Sequence, residues 1–459
     1  MKLSDYVHSL KNKEIAVVGI GVSNTPLIEL LLARGCDVTA CDKYERERMG
    51  DTAAVLESKG AKLRLGEDYL KGLDADIIFR TPGIRPDLPE LAEAVKRGAV
   101  LTSEMEVFFD ICPCRIIGVT GSDGKTTTST IIAKLLEAEG YAVHLGGNIG
   151  TPLLTRADTM KETDIAVLEL SSFQLMTMKK SPWIALVTNL TPNHLDMHRD
   201  MEEYIEAKRN IMRYQGEEDT LILNYDDGIT RGFAGAARGE VRYFSRKSRV
   251  ENGTYQDGNT LFESEGGKYT PVIEASRILL PGVHNIENYL AAFAAVRGLV
   301  SRASCDRVAG TFGGVAHRIE LVRTLRGVRY YNDSIASSPT RTIAALRSFN
   351  EKVILIAGGK DKGIVFNELG PEIIEHVKTL VLTGLTAGKI RAAVENTPGY
   401  GGSPVIIEEP DFRKAVLAAH RSAADGDIVL LSPACTSFDR FKNFEERGNT
   451  YKEIICGLE

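Results

Sequence analysis

Residues 114–128 read CRIIGVTGSDGKTTT, and this stretch decides the fold class that we predict for the chain. An apolar β-branched run ends in a glycine loop, and Lys125 and Thr126 then open the helical stretch TTTSTIIAKLLEAEG. Strand, glycine loop, lysine and helix in this order are the context of a phosphate-binding loop. Backbone N–H groups of such a loop hold phosphate oxygens, the lysine neutralises them, and the threonine hydroxyl can hold Mg²⁺.

The loop departs from the full G-x-x-x-x-G-K-[ST] pattern at one position, because Val119 stands where the first glycine would fall. A βα turn that is merely rich in small residues is the alternative interpretation. Because Lys-Thr opens the helix directly, we favour a nucleotide site over that alternative. The loop residues expected to bind the nucleotide are Gly121, Ser122, Asp123, Gly124, Lys125, Thr126 and Thr127.

On both sides of this loop, short β-branched runs alternate with amphipathic segments, which is typical of βαβ units with parallel sheets. The runs EIAVVGIG (14–21) and DVTACD (37–42), joined by a helical stretch, predict a Rossmann-like half. Its turn GIGVSN has Asn24 in place of the third glycine, so it is only a weak indication of dinucleotide binding. The loop TPGIRPDLPE (81–90) follows another strand, where ligands of open α/β sheets tend to bind.

We therefore predict an α/β protein of three domains. A Rossmann-like amino-terminal domain covers residues 1–104, and a central P-loop ATPase-like domain with a parallel sheet covers 105–315. A carboxy-terminal Rossmann-like α/β domain covers 316–459. The polar, turn-rich segment 242–269 predicts a meander of short strands at the edge of the central domain.

The composition indicates a soluble globular protein, because 43% of the 459 residues are hydrophobic and 26% are charged. A net charge of −6 argues against a broad nucleic-acid-binding surface. The opening residues MKLSDYVHSLKNKEI do not resemble a signal peptide, and the apolar runs are too short to span a bilayer. Seven scattered cysteines fit reduced thiols, so we expect a cytoplasmic protein without membrane insertion.

Further ligands for the metal ions of a nucleoside triphosphate follow two apolar strands. In DIAVLELSS, Glu169 ends a strand that lies beside the phosphate loop if the sheet is parallel. Alone, a glutamate at such a place is more often a capping or solvated residue. In NLTPNHLDMH, the side chains of His194, Asp196 and His198 share one loop, and we expect two of the three to be structural.

Lys208 interrupts the apolar stripe of the helix MEEYIEAKRNIM (201–212). It lies four residues after Tyr204 and four before Met212, on the face expected to pack against a core. From this helix alone we favour a packed stem with its ammonium reaching water. The alternative is a buried amine with a lowered pKa, which could take up CO₂ and form a carbamate that binds Mg²⁺.

Polar and cationic groups also follow the predicted strands of the last third of the chain. They are His284 and Asn285 before a helix, His317 and Arg318 near the predicted joint, Asp333 in YNDSIASSPT, the turn GGKDKG (358–363), and the loop SPACTSFDRFKNFEERG (432–448). Each alone could be turn or capping chemistry. Together they predict a site at the strand ends that faces a nucleotide.

In this order, the motifs resemble those of the Mur ligase family of peptidoglycan synthesis. The resemblance covers the whole chain, and GGNIGTP, ELSSFQL and SPACTSFDRFKNFEERG are similar to the branch that adds D-glutamate. It implies a UDP-binding first domain, a central ATPase domain, and a last domain that closes over ATP and the amino acid. It also implies ATP-dependent amide formation on a UDP-muramoyl-L-alanine substrate through an acyl phosphate.

The resemblance also implies roles for individual residues. For ATP and two Mg²⁺ ions these are Lys125, Thr126, Glu169, His194, Asn285, Arg318 and Asp333, with Lys208 as a carbamylated lysine. For the UDP-muramoyl substrate they are Ser23, Asp42, Thr81, Asn148 and Ser171. For D-glutamate they are Lys362, Ser437 and Phe444. His194 is a candidate base for the ammonium of D-glutamate, although a metal-binding role competes.

The chain departs from the family pattern in two motifs: the first lacks a lysine that the family has, and the second has two lysines where the family has one. The family motif NDSKATN has Ile335 here in place of its lysine and Ser337 in place of its threonine. The family turn GGDGKG is GGKDKG here, so Lys360 and Lys362 compete for the carboxylate of D-glutamate.

Three other functions compete with that of a D-glutamate-adding ligase. They are a sister ligase for another amino acid or a folate-like substrate, a nucleotide-binding regulator with an inactive site, and a P-loop kinase. The intact set of Lys125, Glu169, His194 and Lys208 argues against the regulator, and the Rossmann-like first domain argues against the kinase. We expect small-molecule partners, no nucleic acid, and a monomer.

Overall fold

The first sheet of the chain is a five-stranded parallel sheet. The computed structural model describes residues 1–192, 197–361 and 363–459. The strands are β1 (Glu14–Val18), β2 (Asp37–Asp42), β3 (Lys62–Leu65), β4 (Ile77–Arg80) and β5 (Val100–Thr102), in the spatial order β3-β2-β1-β4-β5. The helices are α1 (Leu3–Ser9), α2 (Asn24–Ala33), α3 (Arg46–Met49), α4 (Asp51–Ser58), α5 (Pro89–Lys96) and α6 (Glu104–Ile111). The strand order reverses between β1 and β4, which creates a crevice at their carboxyl ends.

The second sheet has nine strands and is parallel except at one edge. The strands are β6 (Arg115–Thr120), β7 (Val143–Gly147), β8 (Ile165–Glu169), β9 (Ile184–Val187), β10 (Thr220–Asn224), β11 (Glu240–Ser245), β12 (Gly253–Asp257), β13 (Thr260–Glu265) and β14 (Lys268–Glu274). Their order is β14-β13-β12-β11-β10-β9-β6-β8-β7, and only the pairs β12–β13 and β13–β14 are antiparallel. The polar segment 242–269 thus forms edge strands, as predicted.

Helices follow the strands of this sheet on the chain. They are α7 (Lys125–Glu139), α8 (Ser172–Leu175), α9 (Met201–Arg209), α10 (Gly228–Arg231), α11 (Val283–Val296) and α12 (Arg302–Thr311), with short 3₁₀ turns at Leu154–Thr159, Gly232–Ala236 and Ala275–Arg277. Every residue of β8 is buried, as expected for a parallel strand covered on both faces.

The third sheet has six strands, with one antiparallel edge pair. The strands are β15 (Glu320–Leu325), β16 (Val328–Asn332), β17 (Val353–Ala357), β18 (Val377–Leu382), β19 (Val405–Glu408) and β20 (Ile428–Leu431), in the order β15-β16-β20-β17-β18-β19. The helices are α13 (Pro339–Leu346), α14 (Leu369–His376), α15 (Ala387–Glu395), α16 (Phe412–Arg421) and α17 (Phe444–Cys456). The predicted α/β class with parallel sheets is confirmed.

The chain divides into two compact units. The first comprises Met1–Ala275 with Glu287–Val308 and contains the first two sheets, and the second comprises Ser276–Ile286 with Ala309–Glu459 and contains the third. The domain limits at 104 and 315 stay a prediction. In the part of the chain that the structure describes, the search for a long apolar helix able to cross a membrane finds none.

Candidate active site

The phosphate loop lies between β6 and α7 in the middle of the second sheet. Gly121 follows the end of β6 with φ of +142°, and a Cβ there would lie 1.9 Å from Thr188 Oγ1. Gly124 precedes α7 in the left-handed region, with φ of +79°. Glycine is therefore needed at both positions, for space at the first and for backbone conformation at the second. The loop leads directly into the amino-terminal end of α7, the end of a helix at which phosphate groups bind.

Lys125 curls back over the loop that precedes it. Its ammonium donates hydrogen bonds to the carbonyl oxygens of Gly121 and Ser122, each at 2.9 Å. The lysine charge is thus held at the mouth of the loop, where it would neutralise phosphate oxygens.

Thr126, Glu169 and Asn148 meet at the carboxyl ends of neighbouring strands. The Thr126 hydroxyl donates to Glu169 Oε2 at 2.6 Å, and the Asn148 amide donates to Glu169 Oε1 at 2.9 Å. Glu169 is only 2% exposed. The parallel pairing of β6 with β8 opposes Val119 to Glu169, so the predicted proximity of this glutamate to the phosphate loop is found.

This donor set fits a magnesium ion shared with phosphates. Thr126 and Glu169 supply hard oxygen atoms, and Mg²⁺ commonly takes one or two protein oxygens together with phosphate oxygens and water. Among the residues that the structure describes, three or more His, Cys, Asp or Glu side chains nowhere cluster into a metal cage. A magnesium ion here would therefore depend on the nucleotide for its remaining ligands.

Lys208 is buried beside the phosphate loop. Its side chain is 2% exposed, and its amine donates to the Gly121 carbonyl at 2.7 Å and lies 3.4 Å from Thr120 Oγ1. Burial, with the nearby Lys125 charge, lowers the pKa of Lys208 to about 7, while Glu169 acts in the opposite direction. The interpretation favoured from the helix alone, an ammonium that reaches water, is wrong because the loop covers the amine.

Tyr204 links the Lys208 helix to the phosphate loop, and the sequence analysis treated it only as a packing residue. Its hydroxyl lies 2.9 Å from Ser122 Oγ, and that serine donates to the Thr191 carbonyl at 2.9 Å. Its ring centroid lies 4.9 Å from the Lys208 amine. The four-residue spacing from Lys208 was the available signal, since it places both side chains on one helix face.

Ser171 and His198 order the chain next to Glu169. Ser171 caps α8 by accepting a hydrogen bond from the Gln174 backbone, so the predicted substrate residue also has a structural role. His198 is buried, lies 2.9 Å from Ser172 Oγ through Nε2, and stacks on Phe173. These contacts give His198 a structural role, while the expectation that two of the three groups in its loop are structural stays a prediction. His194 and Asp196 lie outside the described residues.

The three residues predicted to bind UDP lie at the carboxyl ends of β1, β2 and β4. Ser23 follows β1, Asp42 ends β2 and Thr81 follows β4, so Ser23 and Thr81 flank the crevice where the strand order reverses. Both carboxylate oxygens of Asp42 accept backbone N–H groups, from Ile20 at 2.7 Å and Tyr44 at 3.0 Å. Asp42 therefore fixes the turn after β1 directly.

In the second unit, Asp333 is buried at the end of β16. It accepts hydrogen bonds from Ser432 Oγ at 2.7 Å and from the Ile319 backbone at 3.3 Å. Burial raises the pKa of Asp333 to about 7. Asn285, predicted to bind nucleotide, donates to the Pro281 carbonyl at 2.6 Å, and Arg318 lies in the turn before β15.

The predicted D-glutamate residues lie around the loop that follows β20. Ser437 is buried in that loop, and Phe444 begins α17 with its ring 6.0 Å from His317. Lys360 joins the same region, because its backbone N–H donates to the Thr436 carbonyl. Lys362 lies outside the described residues, so its competition with Lys360 for the carboxylate stays open.

Arg447, which the sequence did not single out, lies next to the predicted D-glutamate residues as a candidate positioning residue. It is 2% exposed and donates from Nε to Ser334 Oγ and from Nη2 to the carbonyls of Ser334 and Cys435. It therefore ties the loop after β16 to the loop after β20. Its place in the motif FEERG was the available indication in the sequence. Its hydrogen-bond partners lie more than 10 residues away in sequence, so only the fold identifies them.

Comparisons with known proteins show which family the chain belongs to. Residues 119–296 match the Mur ligase middle domain, and residues 317–435 match the Mur ligase glutamate ligase domain. A UDP-N-acetylmuramoylalanine–D-glutamate ligase from Acetivibrio thermocellus is 54% identical, over 100% of this chain and 99% of the relative. A protein of the same name from Clostridium novyi is 51% identical, over 99% of each chain.

Solved structures share the fold at low identity. The UDP-N-acetylmuramate-alanine ligase of Thermotoga maritima gives a TM-score of 0.59 at 18% identity, over 98% of this chain and 100% of that one. The MurF ligase of the same organism, in complex with ADP, gives 0.55 at 17% identity, over 98% and 96%. At this identity the likeness concerns the fold alone.

Proposed function

Because this chain belongs to the Mur ligase family, we propose that it joins D-glutamate to UDP-N-acetylmuramoyl-L-alanine at the expense of ATP, forming ADP and phosphate. The observation that carries the proposal is identity of 54% over the whole chain, which includes the regions predicted to bind both substrates. The buried pair of Thr126 and Glu169 beside the phosphate loop supports the ATP-dependent part.

The proposed reaction has two steps. An oxygen of the L-alanyl carboxylate attacks the γ-phosphorus of ATP, the bond to the β-phosphate oxygen breaks, and an acyl phosphate and ADP form. The neutral amine of D-glutamate then attacks the acyl carbon, phosphate leaves, and the amide loses one proton. No acyl-enzyme is required, so the free thiols of the chain need not act as nucleophiles.

The phosphate loop positions and neutralises the reacting phosphates. The loop would present the Lys125 ammonium and the backbone N–H groups of Gly124 to Thr127 to the triphosphate. The N–H groups of Ser122 and Asp123 donate to Asn189, so these two residues would shape the loop around the nucleotide. Thr126, Glu169 and, from the family pattern, His194 would hold two Mg²⁺ ions, which offset the charge that builds up as the two anions approach. In the second unit, Asn285, Arg318 and Asp333 would contact the nucleotide.

Lys208 is proposed to carry a carbamate that completes the ligands of one magnesium ion. Its burial and its pKa of about 7 support this role, because a large neutral fraction is available to react with CO₂. The adjacent Gly121 carbonyl holds the amine at the phosphate loop, within the region where the nucleotide would bind.

The two substrates are assigned to opposite parts of the chain. Ser23, Asp42 and Thr81 would receive the uridine diphosphate end in the crevice of the first sheet, with Asp42 acting through the turn that it fixes. Asn148 and Ser171 would face the muramoyl-L-alanine end. In the second unit, Ser437, Phe444 and one lysine of the turn GGKDKG would bind D-glutamate. His194 is the proposed base for its ammonium group.

This activity would make a cytoplasmic precursor of peptidoglycan. We propose a monomer whose partners are these small molecules, without nucleic acid and without membrane insertion.

The acceptor amino acid tests the proposal. Purified protein with ATP, Mg²⁺ and UDP-N-acetylmuramoyl-L-alanine should release ADP when D-glutamate is added. L-alanine (offered with UDP-N-acetylmuramate) and meso-diaminopimelate should give no ADP above background. Turnover with another acceptor and none with D-glutamate would assign the chain to a sister ligase.

A further inference from the structure

Two arginines fix the loop between β4 and α5 to the helices of the second sheet. We infer that Arg80 and Arg85 are positioning residues that hold residues 81–87 in register with α8 and α9. This inference rests on the proposed function, which places the uridine diphosphate end of the substrate at Thr81 and the reacting end near Ser171 and Lys208.

Arg80 is the last residue of β4 and is 2% exposed. Its guanidinium donates to oxygens on both sides of the junction, which are the carbonyls of Thr81, Pro82 and Ile84 in the loop, and the Phe173 carbonyl and Thr177 Oγ1 beyond it. One buried side chain thus shapes the loop and attaches it to α8. Ser171 immediately precedes α8, so the contact with Phe173 lies two residues from the proposed substrate-binding serine.

Arg85 attaches the other end of the loop to α9. It donates to both oxygens of Asp87, each at 2.8 Å, and to both oxygens of Glu203, at 2.9 and 3.0 Å. It also donates to the Met197 carbonyl at 2.8 Å. Five hydrogen bonds therefore use the whole planar fork, which a lysine could not reproduce.

The contact between Arg85 and Glu203 matters because Glu203 lies on the helix that carries Lys208. Glu203 lies in the first turn of α9, five residues before Lys208, and the Arg85 guanidinium holds the pKa of its carboxyl down to about 2. Arg199 joins the same cluster by donating to Asp87 at 2.7 Å. A displaced Arg85 would therefore break the ion pair that joins the loop to the first turn of the helix that carries Lys208.

Stability alone accounts poorly for a buried guanidinium at this junction. Burying a charged group costs desolvation, and apolar residues of similar size often hold a core together as well. The two arginines instead fix the position of the loop, because each guanidinium binds both the loop and one helix. For a substrate that spans from the loop to the phosphate loop, an error of about 1 Å at one end can cost about 100-fold in rate.

Steady-state kinetics of Arg85→Ala and Arg85→Lys test the inference. The matched control is Arg46→Ala, because Arg46 also pairs through both nitrogens with one glutamate, Glu57, but within the first sheet's own helices. KM and kcat are measured separately for UDP-N-acetylmuramoyl-L-alanine, ATP and D-glutamate, and melting temperatures are recorded for all proteins.

We expect Arg85→Ala to lower kcat/KM for the UDP substrate by about 10- to 100-fold, with KM for D-glutamate unchanged within about twofold. Arg85→Lys should fall between this variant and wild type, and Arg46→Ala should match wild type. Equal changes in the KM of all three substrates, or Arg85→Ala kinetics like those of the control, would overturn the inference. An inactive wild-type protein would instead overturn the proposed function, so the two failures are distinguishable.

Discussion

At the scale of single residues, Lys208 carries the most chemical information. Its place in an apolar helix stripe was visible in the sequence, but the stripe alone favoured a solvated ammonium. The fold reverses this interpretation, because the phosphate loop covers the amine and accepts its hydrogen bond. Burial lowers the pKa of Lys208 to about 7, which leaves a large fraction of the amine neutral at neutral pH.

Replacing Lys208 tests its role directly. Lys208→Ala should lose nearly all activity, because the proposed carbamate ligand is removed, and millimolar short-chain carboxylic acids should restore part of it. Activity is measured as D-glutamate-dependent ADP release. Lys134→Ala is a matched control, since Lys134 is a half-exposed lysine that pairs with Glu137 on α7. Full activity of Lys208→Ala would contradict the carbamate.

The dependence on CO₂ should vary with pH in a defined direction. The folded pKa of about 7 lies below the ordinary value of about 10.4, so the amine is protonated below pH 7 and mostly neutral above it. Carbamate formation consumes the neutral amine and releases one proton, so the dissolved CO₂ needed for half-maximal activity should rise about 100-fold per pH unit below 7 and about tenfold per unit above it. A requirement independent of pH between 6 and 8 would show that this amine is not the group that reacts.

The predicted proximity of Glu169 to the loop of Lys125 and Thr126 is found, because a phosphate loop and a neighbouring strand end are local patterns with a known spatial outcome. The sequence could not identify Arg447, whose partners Ser334 and Cys435 come together only through the third sheet. It also missed that Tyr204 reaches the phosphate loop, since apolar periodicity indicates a buried face without naming its partner.

At the scale of elements, the end of β7 has to approach β8 closely. Gly147 ends β7 with φ of +95°, and a Cβ there would lie 2.1 Å from the Glu169 carbonyl oxygen. The next residue, Asn148, binds that same carbonyl through its backbone N–H at 2.8 Å and the Glu169 carboxylate through its amide. The strand end therefore positions the glutamate at the phosphate loop.

Gly147→Ala should lower the free energy of unfolding by more than backbone strain alone would. Gly140, after α7, has a similar φ of +105° with open space around a Cβ, so Gly140→Ala should lose only about 1–2 kcal/mol. Gly147→Ala adds a clash with backbone, and should lose more stability in urea unfolding and also displace Glu169. We expect activity to fall in Gly147→Ala and not in Gly140→Ala; equal effects of the two substitutions would contradict the close approach.

The strands themselves were predictable from the sequence, because β-branched runs such as IAVLE in β8 and VILIA in β17 are buried on both faces of parallel sheets. The order of the strands was not, since it depends on pairings between distant runs. The crevice between β1 and β4, and with it the place of Thr81, became visible only with that order.

At the scale of the whole molecule, the described residues are held together by contacts between protein groups, and they contain no cluster of His, Cys, Asp or Glu side chains that could form a metal cage. The Thr126 hydroxyl donates a hydrogen bond to one carboxylate oxygen of Glu169, and the Asn148 amide donates to the other. A strong chelator should therefore abolish ADP release while leaving the melting temperature of the free protein unchanged. Thermal unfolding with and without the chelator checks this, and a large drop in melting temperature would indicate a structural metal.

The structure has three sheets that follow one another along the chain, as the alternation of β-branched runs and amphipathic segments predicted. Compactness nevertheless groups the first two sheets into one unit, together with Glu287–Val308. One reason is that side chains such as Arg80 and Arg85 connect elements more than 90 residues apart in sequence. Such connections leave no local pattern, so domain limits are harder to predict than strands.

The most direct test of the proposed ligase uses UDP-N-acetylmuramoyl-L-alanine with ¹⁸O at both oxygens of its alanyl carboxylate. With ATP, Mg²⁺ and D-glutamate, the protein should give a product heavier by one glutamate less one ¹⁸O-labelled water, with one ¹⁸O atom kept in the carbonyl of the new amide. Each turnover should place one ¹⁸O atom in the released phosphate, because that oxygen first binds the γ-phosphorus. Absence of the D-glutamate adduct, or phosphate without label, would contradict the account.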